Sequence, residues 1–215
     1  MKSLNALADP NTDNEIADPK LAAILAAAKT TFLAHGYDLT SMDQIAMTAS
    51  VSKRTVYSRF SSKEELFGAA IEYSCKDLLP TSLPELTSNL PIRELIEKLS
   101  INFLRGALRP DALALRRIAT FEAGRNPEIG RVFLKHGPGW LIDQFTPIFI
   151  EIGSAAGLKT DDPHQTLWRM GSLISEPLHN RMLLGDTPDD LETAILEQVE
   201  FGLAAFFYIF GTQDT

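Results

Sequence analysis

The chain has 215 residues, 45% of them hydrophobic, 22% charged and 8% aromatic. This composition excludes wholesale disorder and collagen-like structure, and the length is ample for a buried core. The net charge of −8 argues against a nucleic-acid partner until its distribution is read, and a single cysteine, Cys75, excludes an intrachain disulfide.

The sequence holds 29 Leu and 23 Ala against 4 Val. Leu and Ala lose little side-chain entropy in a helix and Val is a strand former, so the expected class is all-α, with about nine helices. Residues 1–18 are polar and acidic and read as a disordered N-terminal arm without the apolar core of a signal peptide. Asp18-Pro19 then opens a helix, with Leu21, Leu25, Ala28 and Phe32 on one face and Gly36 as its stop. A short helix follows, capped either by Ser41 with Gln44 or by Thr40 with Asp43. Ser52 opens a third helix, with Val51 and Val56 placed as a hydrophobic staple. Ser62 to Glu65 opens a fourth, running to about Leu79.

Pro80, Pro84 and Pro91 mark a linker. Beyond it, helices are expected over 91–108, 111–124 and from Asn126-Pro127, with Gly137-Pro138-Gly139 as a break before Trp140. Asp162-Pro163 should start a helix running to Gly185 and Thr187-Pro188 the last one. That last helix carries Leu191, Ile195, Val199, Gly202 and Phe206 on one side, widened by Leu196, Leu203 and Phe207. The longest apolar run, Phe201 to Gly211, falls short of the roughly 20 residues of a membrane span, so a cytoplasmic protein is expected.

The charge is uneven. Residues 20–70 carry six bases and four acids inside an otherwise acidic chain. In this segment two short helices, joined by the tight turn Ala49-Ser50-Val51, form a helix-turn-helix pattern. The second helix presents Ser52, Lys53, Arg54, Thr55, Tyr57, Ser58 and Arg59. Lys and Arg can donate to guanine, Thr can read a base edge or the thymine methyl, and Tyr57 is long enough for a phosphate. Lys63, at a helix start, also suits a phosphate. The pattern alone fits DNA binding and a non-DNA helical domain about equally.

Ile24-Leu25-Ala26-Ala27-Ala28, Phe32, Gly36-Tyr37, Thr40-Ser41-Met42, Ile45-Ala46, Val51-Ser52-Lys53, Thr55-Val56-Tyr57, Phe60 and Ser62-Lys63-Glu64-Glu65-Leu66-Phe67 stand in one register. Together they resemble the TetR family of transcriptional regulators over residues 20–70. Ile118 to Pro138 resembles, more loosely, the AefR-like branch. One residue departs from the family pattern, because Ser50 stands where the turn usually has Gly. If that residue is left-handed, Ser carries a cost of about 1–2 kcal/mol that Gly avoids.

The resemblance implies a DNA-binding domain over 19–67, with a connecting helix to about 79, and a ligand-binding and dimerisation domain over 80–215. It implies operator contacts from Thr40, Ser41, Ser52, Lys53, Arg54, Thr55, Tyr57 and Lys63. The expected partners are a palindromic double-stranded operator, a second copy of the chain and a small apolar effector, with no membrane, metal or cofactor. Helices 162–184 and 188–210 are the expected dimer surface, and Phe206→Glu should then give monomers. Candidate effector contacts are Phe103, Arg117, Phe121, Glu122, Trp140, Phe145, Trp168 and His179. No nucleophile elbow, phosphate loop or metal-spaced set of histidines points to an enzyme. A helical carrier protein without DNA-binding function is the alternative.

Overall fold

The computed structural model describes residues 18–78 and 91–211. The expected N-terminal arm before Asp18 and the expected linker as far as residue 90 lie outside the described residues. The chain divides into two compact units. The first takes its described residues from 18–77 and 114–141, the second from 78–113 and 142–211. Residues 114–141, within the expected C-terminal segment, thus pack with the helix-turn-helix.

In the first unit, α1 is Pro19–His35, α2 Met42–Thr48, α3 Lys53–Tyr57 and α4 Lys63–Cys75. Each begins on the side-chain cap that its sequence offers. Asp18 Oδ1 accepts from the backbone N–H of Lys20 at 2.9 Å. Those amide donors, with the Arg59 guanidinium, hold the Asp18 carboxyl below its ordinary range. Ser52 and Ser62 accept from Thr55 and Glu65, each at 3.1 Å. The apolar faces of these helices meet over Ile24, Phe32, Ile45, Val56, Leu66 and Phe67, none of them accessible to solvent. Phe32, Tyr37 and Phe67 stack as three rings, with centroids 4.9 to 5.9 Å apart.

The same core is sealed by Leu115 and Ala119 from α6 (Pro110–Ala123) and by Ile129 from α7 (Pro127–Leu134). Asn126 caps α7, accepting from Glu128 N–H at 3.1 Å, with Pro127 at the first helical position. The expected break at Gly137-Pro138-Gly139 is instead one π-helical turn, Lys135–Gly139, which runs directly into α8 (Trp140–Ala155). The wider turn accommodates a proline that has no N–H to donate. Gly139 is required there, since a Cβ would stand 2.7 Å from the Leu134 carbonyl oxygen.

The second unit contains α5 (Ile92–Ala107), residues 142–155 of α8, α9 (Pro163–Ser175), α10 (Leu178–Leu183) and α11 (Leu191–Phe210). Its core gathers Ile96, Leu104, Phe149, Ile174, Ile195, Val199 and Phe206. The helix expected over 162–185 is two helices. Pro177 cannot donate a backbone hydrogen bond, and Glu176 before it is extended, with φ −94° and ψ 142°. The last helix starts at Leu191 rather than at Pro188, because Asp190 supplies the cap, accepting from Thr193 N–H at 3.1 Å.

Two faces of α11 carry apolar residues. Ile195, Val199, Gly202, Leu203 and Phe206 point into the core, and a Cβ on Gly202 would lie 2.4 Å from the Leu173 carbonyl oxygen of α9. Leu196, Phe201, Tyr208 and Ile209 are exposed. Phe206 has no exposed surface whereas Phe201 is 71% exposed, so the expectation for Phe206→Glu is corrected: that charge would strike the core of the unit and not a dimer surface. Among the described residues α11 alone is long and apolar enough, by length and composition, to cross a membrane. Its inward side is occupied by the core of the second unit.

The turn between α2 and α3 has the conformation that the sequence makes awkward. Ser50 has φ 53°, in the left-handed region. Ser50 N–H donates to the Met47 carbonyl at 3.1 Å and Val51 N–H to the Ala46 carbonyl at 3.0 Å, the paired bonds that close a helix end around a left-handed residue. Ser50→Gly keeps both bonds and removes the steric cost. It should stabilise the protein by about 1 kcal/mol and raise the melting temperature by about 2–4 °C, read by circular dichroism. A lower melting temperature would mean that the Ser50 hydroxyl stabilises the turn by more than its backbone costs.

Candidate nucleic-acid interface

α2 begins with a reciprocal cap. Ser41 Oγ accepts from Gln44 N–H at 3.2 Å, and Gln44 Oε1 accepts from Ser41 N–H at 2.8 Å. Of the two caps open to the sequence, Ser41 with Gln44 is therefore the one formed. Thr40 has another task. It is buried, and its hydroxyl donates to the Gly36 carbonyl at 2.7 Å, so its side chain ties the α1–α2 turn and does not face solvent.

α3 is only five residues long, and Val56 is its one buried residue. That single anchor turns the opposite side outward. Ser52, Lys53, Arg54, Tyr57, Ser58 and Arg59 are exposed and Thr55 is half-buried. The Ser52 hydroxyl also meets the Thr55 hydroxyl at 2.7 Å, so both are pre-positioned by the cap. Tyr57 is 54% exposed, a large share for an aromatic side chain that serves no core.

The cations around α3 differ in how they are held. Lys53 bonds to the Asp43 carboxylate from the first turn of α2, which keeps its ammonium protonated above the ordinary lysine value. Arg59 pairs with Asp18. The Arg54 guanidinium makes no ion pair or side-chain hydrogen bond among the described residues. Lys63 is half-buried and differs from the open phosphate anchor expected. Its ammonium donates to the carbonyls of Tyr37 at 2.9 Å and Asp38 at 3.3 Å and sits 4.3 Å from the Tyr37 ring centroid. One of its three N–H groups is left for an outside acceptor. Asp43 and Asp18 were missed as determinants of this surface. Their spacing in sequence, ten and 41 residues from their partners, carries no local signal.

The eight effector candidates do not converge on one place. Phe103, Phe145, Trp168 and His179 belong to the second unit, where Phe103 packs at the edge of the core and His179 is buried with Nδ1 3.7 Å from Glu176. Trp140 belongs to the first unit and is half-buried. Arg117, Phe121 and Glu122 line a groove of about 510 Å³ in the first unit, facing the α1–α2 turn. His35, Asp38, Leu39 and Arg125, which complete its rim, were not singled out in the sequence.

The family described as bacterial regulatory proteins of the tetR family matches residues 24–70, and the AefR-like transcriptional repressor C-terminal domain matches residues 94–211. The DNA-binding transcriptional repressor TetR of Mycobacteroides abscessus is 44% identical over 55 residues, which is 26% of this chain and 29% of that protein. The chain aligns with less than half the length of each of the curated relatives it matches. Solved structures match more widely. The flavonoid-responsive regulator FrrA is 32% identical, with a TM-score of 0.69 over 90% of this chain and 98% of that one. A TetR transcriptional regulator from Agrobacterium tumefaciens is 26% identical, with a TM-score of 0.71 over 91% of this chain and 96% of that one. With one family domain over the exposed α3 surface and the other over more than half of the sequence, the chain belongs to the TetR family of transcriptional regulators, in its AefR-like branch.

Proposed function

We propose that this protein is a transcriptional repressor that binds an inverted-repeat operator as a homodimer and is released by a small apolar effector. The observation that carries the reading is α3, a helix held by one buried valine that exposes Lys53, Arg54 and Tyr57 together. Such a helix suits the major groove, where Lys and Arg donate to guanine and the hydroxyls of Ser52 and Thr55 reach neighbouring edges. Ser41 and the remaining N–H of Lys63 would serve the backbone, and Thr40 would act by fixing the turn before α2. Residues 19–67 would read DNA, and 80–215 would dimerise and take the effector, in the cytoplasm where the operator lies. The name of the relative FrrA, a flavonoid-responsive regulator, supports a flat, largely apolar effector.

Selection of bound sequences from random duplex DNA by the purified protein tests this. Recovery of one inverted repeat is expected, and no consensus from a folded dimer would overturn the reading. On the recovered site, Lys53→Ala and Tyr57→Ala should each weaken binding about tenfold, and Lys53→Ala should flatten the salt slope by about one.

Asp43 competes with phosphate for Lys53. Asp43→Asn should therefore tighten operator binding by about two- to five-fold at low salt, measured by fluorescence anisotropy. Unchanged affinity would mean that the pair opens without cost on DNA.

The dimer would use the outward face of α11 with α9. Phe201→Glu places a charge on an exposed apolar position and leaves the core intact. It should yield monomers in sedimentation with unchanged helix content and weak operator binding. A Phe201→Glu protein that stays dimeric would move the interface elsewhere.

A further inference from the structure

The groove between the α1–α2 turn and the C-terminal end of α6 is lined by no residue of α3, yet it gathers chemistry. Glu122 lines it and is only 5% exposed. Its carboxylate makes no hydrogen bond or ion pair with any described residue. The side chain is packed against protein, but its carboxylate oxygens keep access to the solvent of the groove, where an outside donor can reach them. The walls beside it are apolar. Leu39 is 78% exposed and Phe121 62%, unusual values for such side chains, and Ile118 also lines the groove. The face of Phe121 already accepts a cation, since the Arg125 guanidinium sits 4.7 Å from the ring centroid. Arg125 also stands 3.8 Å from Asp38, so of the two acids lining the groove Glu122 is the one without an ion pair; Arg117 and His35 line the groove as well.

We propose that this groove binds a small organic cation, an ammonium group carried on a flat apolar body. The ammonium would donate to Glu122, and the body would lie against Phe121, Ile118 and Leu39. The volume suits a small molecule, and a carboxylate that reaches the groove without a protein partner, beside apolar walls, suits a cation better than an anion of the same shape. The groove lies in the first unit and joins three of the candidate effector contacts, Arg117, Phe121 and Glu122. Its near wall is the turn whose carbonyls at Tyr37 and Asp38 hold Lys63 and which leads into the Ser41 cap of α2. A ligand that alters this turn would alter operator affinity, and by linkage the operator would alter ligand affinity by the same factor.

The test is calorimetric titration of 2-phenylethylammonium into the full chain without DNA, with 3-phenylpropionate and 2-phenylethanol as anionic and neutral counterparts. Saturable binding of one ammonium per chain is expected, with a Kd below about 1 mM. Glu122→Gln, nearly the same shape, should weaken it about tenfold, and the anionic and neutral probes should bind about tenfold more weakly. Phe121→Ala, at an exposed position that leaves the core alone, should weaken it several-fold. No saturable heat up to about 10 mM, equal affinity for the anion and the cation, or full affinity in a folded Glu122→Gln protein would each overturn the site. Should Glu122→Gln fail to fold, undiminished affinity in Phe121→Ala overturns it instead. These outcomes are independent of DNA, so loss of the operator reading and loss of this site are told apart.

Discussion

A helix of five residues cannot stand on its own hydrogen bonds, because nucleation fixes more backbone than so few bonds repay. The reading surface of this protein is such a helix, and it exists because Val56 is driven into a core already built by α1, α2 and α4. Full burial of a valine contributes about 1.5–3 kcal/mol, comparable to the whole of what so short a helix lacks. Everything else in the headpiece serves that one insertion. The left-handed turn at Ser50 sets the direction of α3, the caps at Ser41 and Ser52 satisfy amides at the starts of α2 and α3, and the Phe32–Tyr37–Phe67 rings pack in the receiving core.

The cations are arranged on this frame at graded readiness. Arg54 is unengaged by other side chains, Lys53 is held by the exposed Asp43 and Arg59 by the half-buried Asp18, and Lys63 is fastened to two backbone carbonyls. Exposed pairs exchange partners at little cost, whereas a lysine bound to backbone and resting on a ring gives up more. An acidic protein can therefore offer positive charge over one small patch, with its own carboxylates acting as counterions until phosphates replace them.

What the sequence disclosed and what it withheld divide along the range of the interactions. The starts of α1, α3 and α4 and the helix-turn-helix are local matters, set by Asp18, Ser52 and Ser62, and were legible; the cap of α2 stayed open between Ser41 and Thr40, and the left-handed turn at Ser50 was suggested only by the family resemblance. The last helix was harder. Its apolar residues surround it, so periodicity could not distinguish Phe206, which fills a core, from Phe201, which faces outward. Pro177 was legible in principle, as a residue that stops a helix, but was masked by apolar periodicity on both sides. The Thr40 hydroxyl bonds to Gly36 only four residues before it, whereas the use of Lys63 and the meeting of Glu122 with the α1–α2 turn depend on segments distant in sequence. No local pattern encodes them.

The core beneath α3 is shared. Leu115, Ala119 and Ile129, some forty residues and more beyond α4, close the same cluster as Phe32, Leu66 and Phe67. A fragment ending at residue 78 would leave that seam open to water, so the DNA-reading helices are not a detachable module. Exchanging recognition heads between relatives by recombination just after residue 78 would pair each head with a foreign seal. Chimeras that carry residues 114–141 along with their own head should inherit a matched core, which sets the natural unit of exchange in this branch at two separated stretches of gene rather than one.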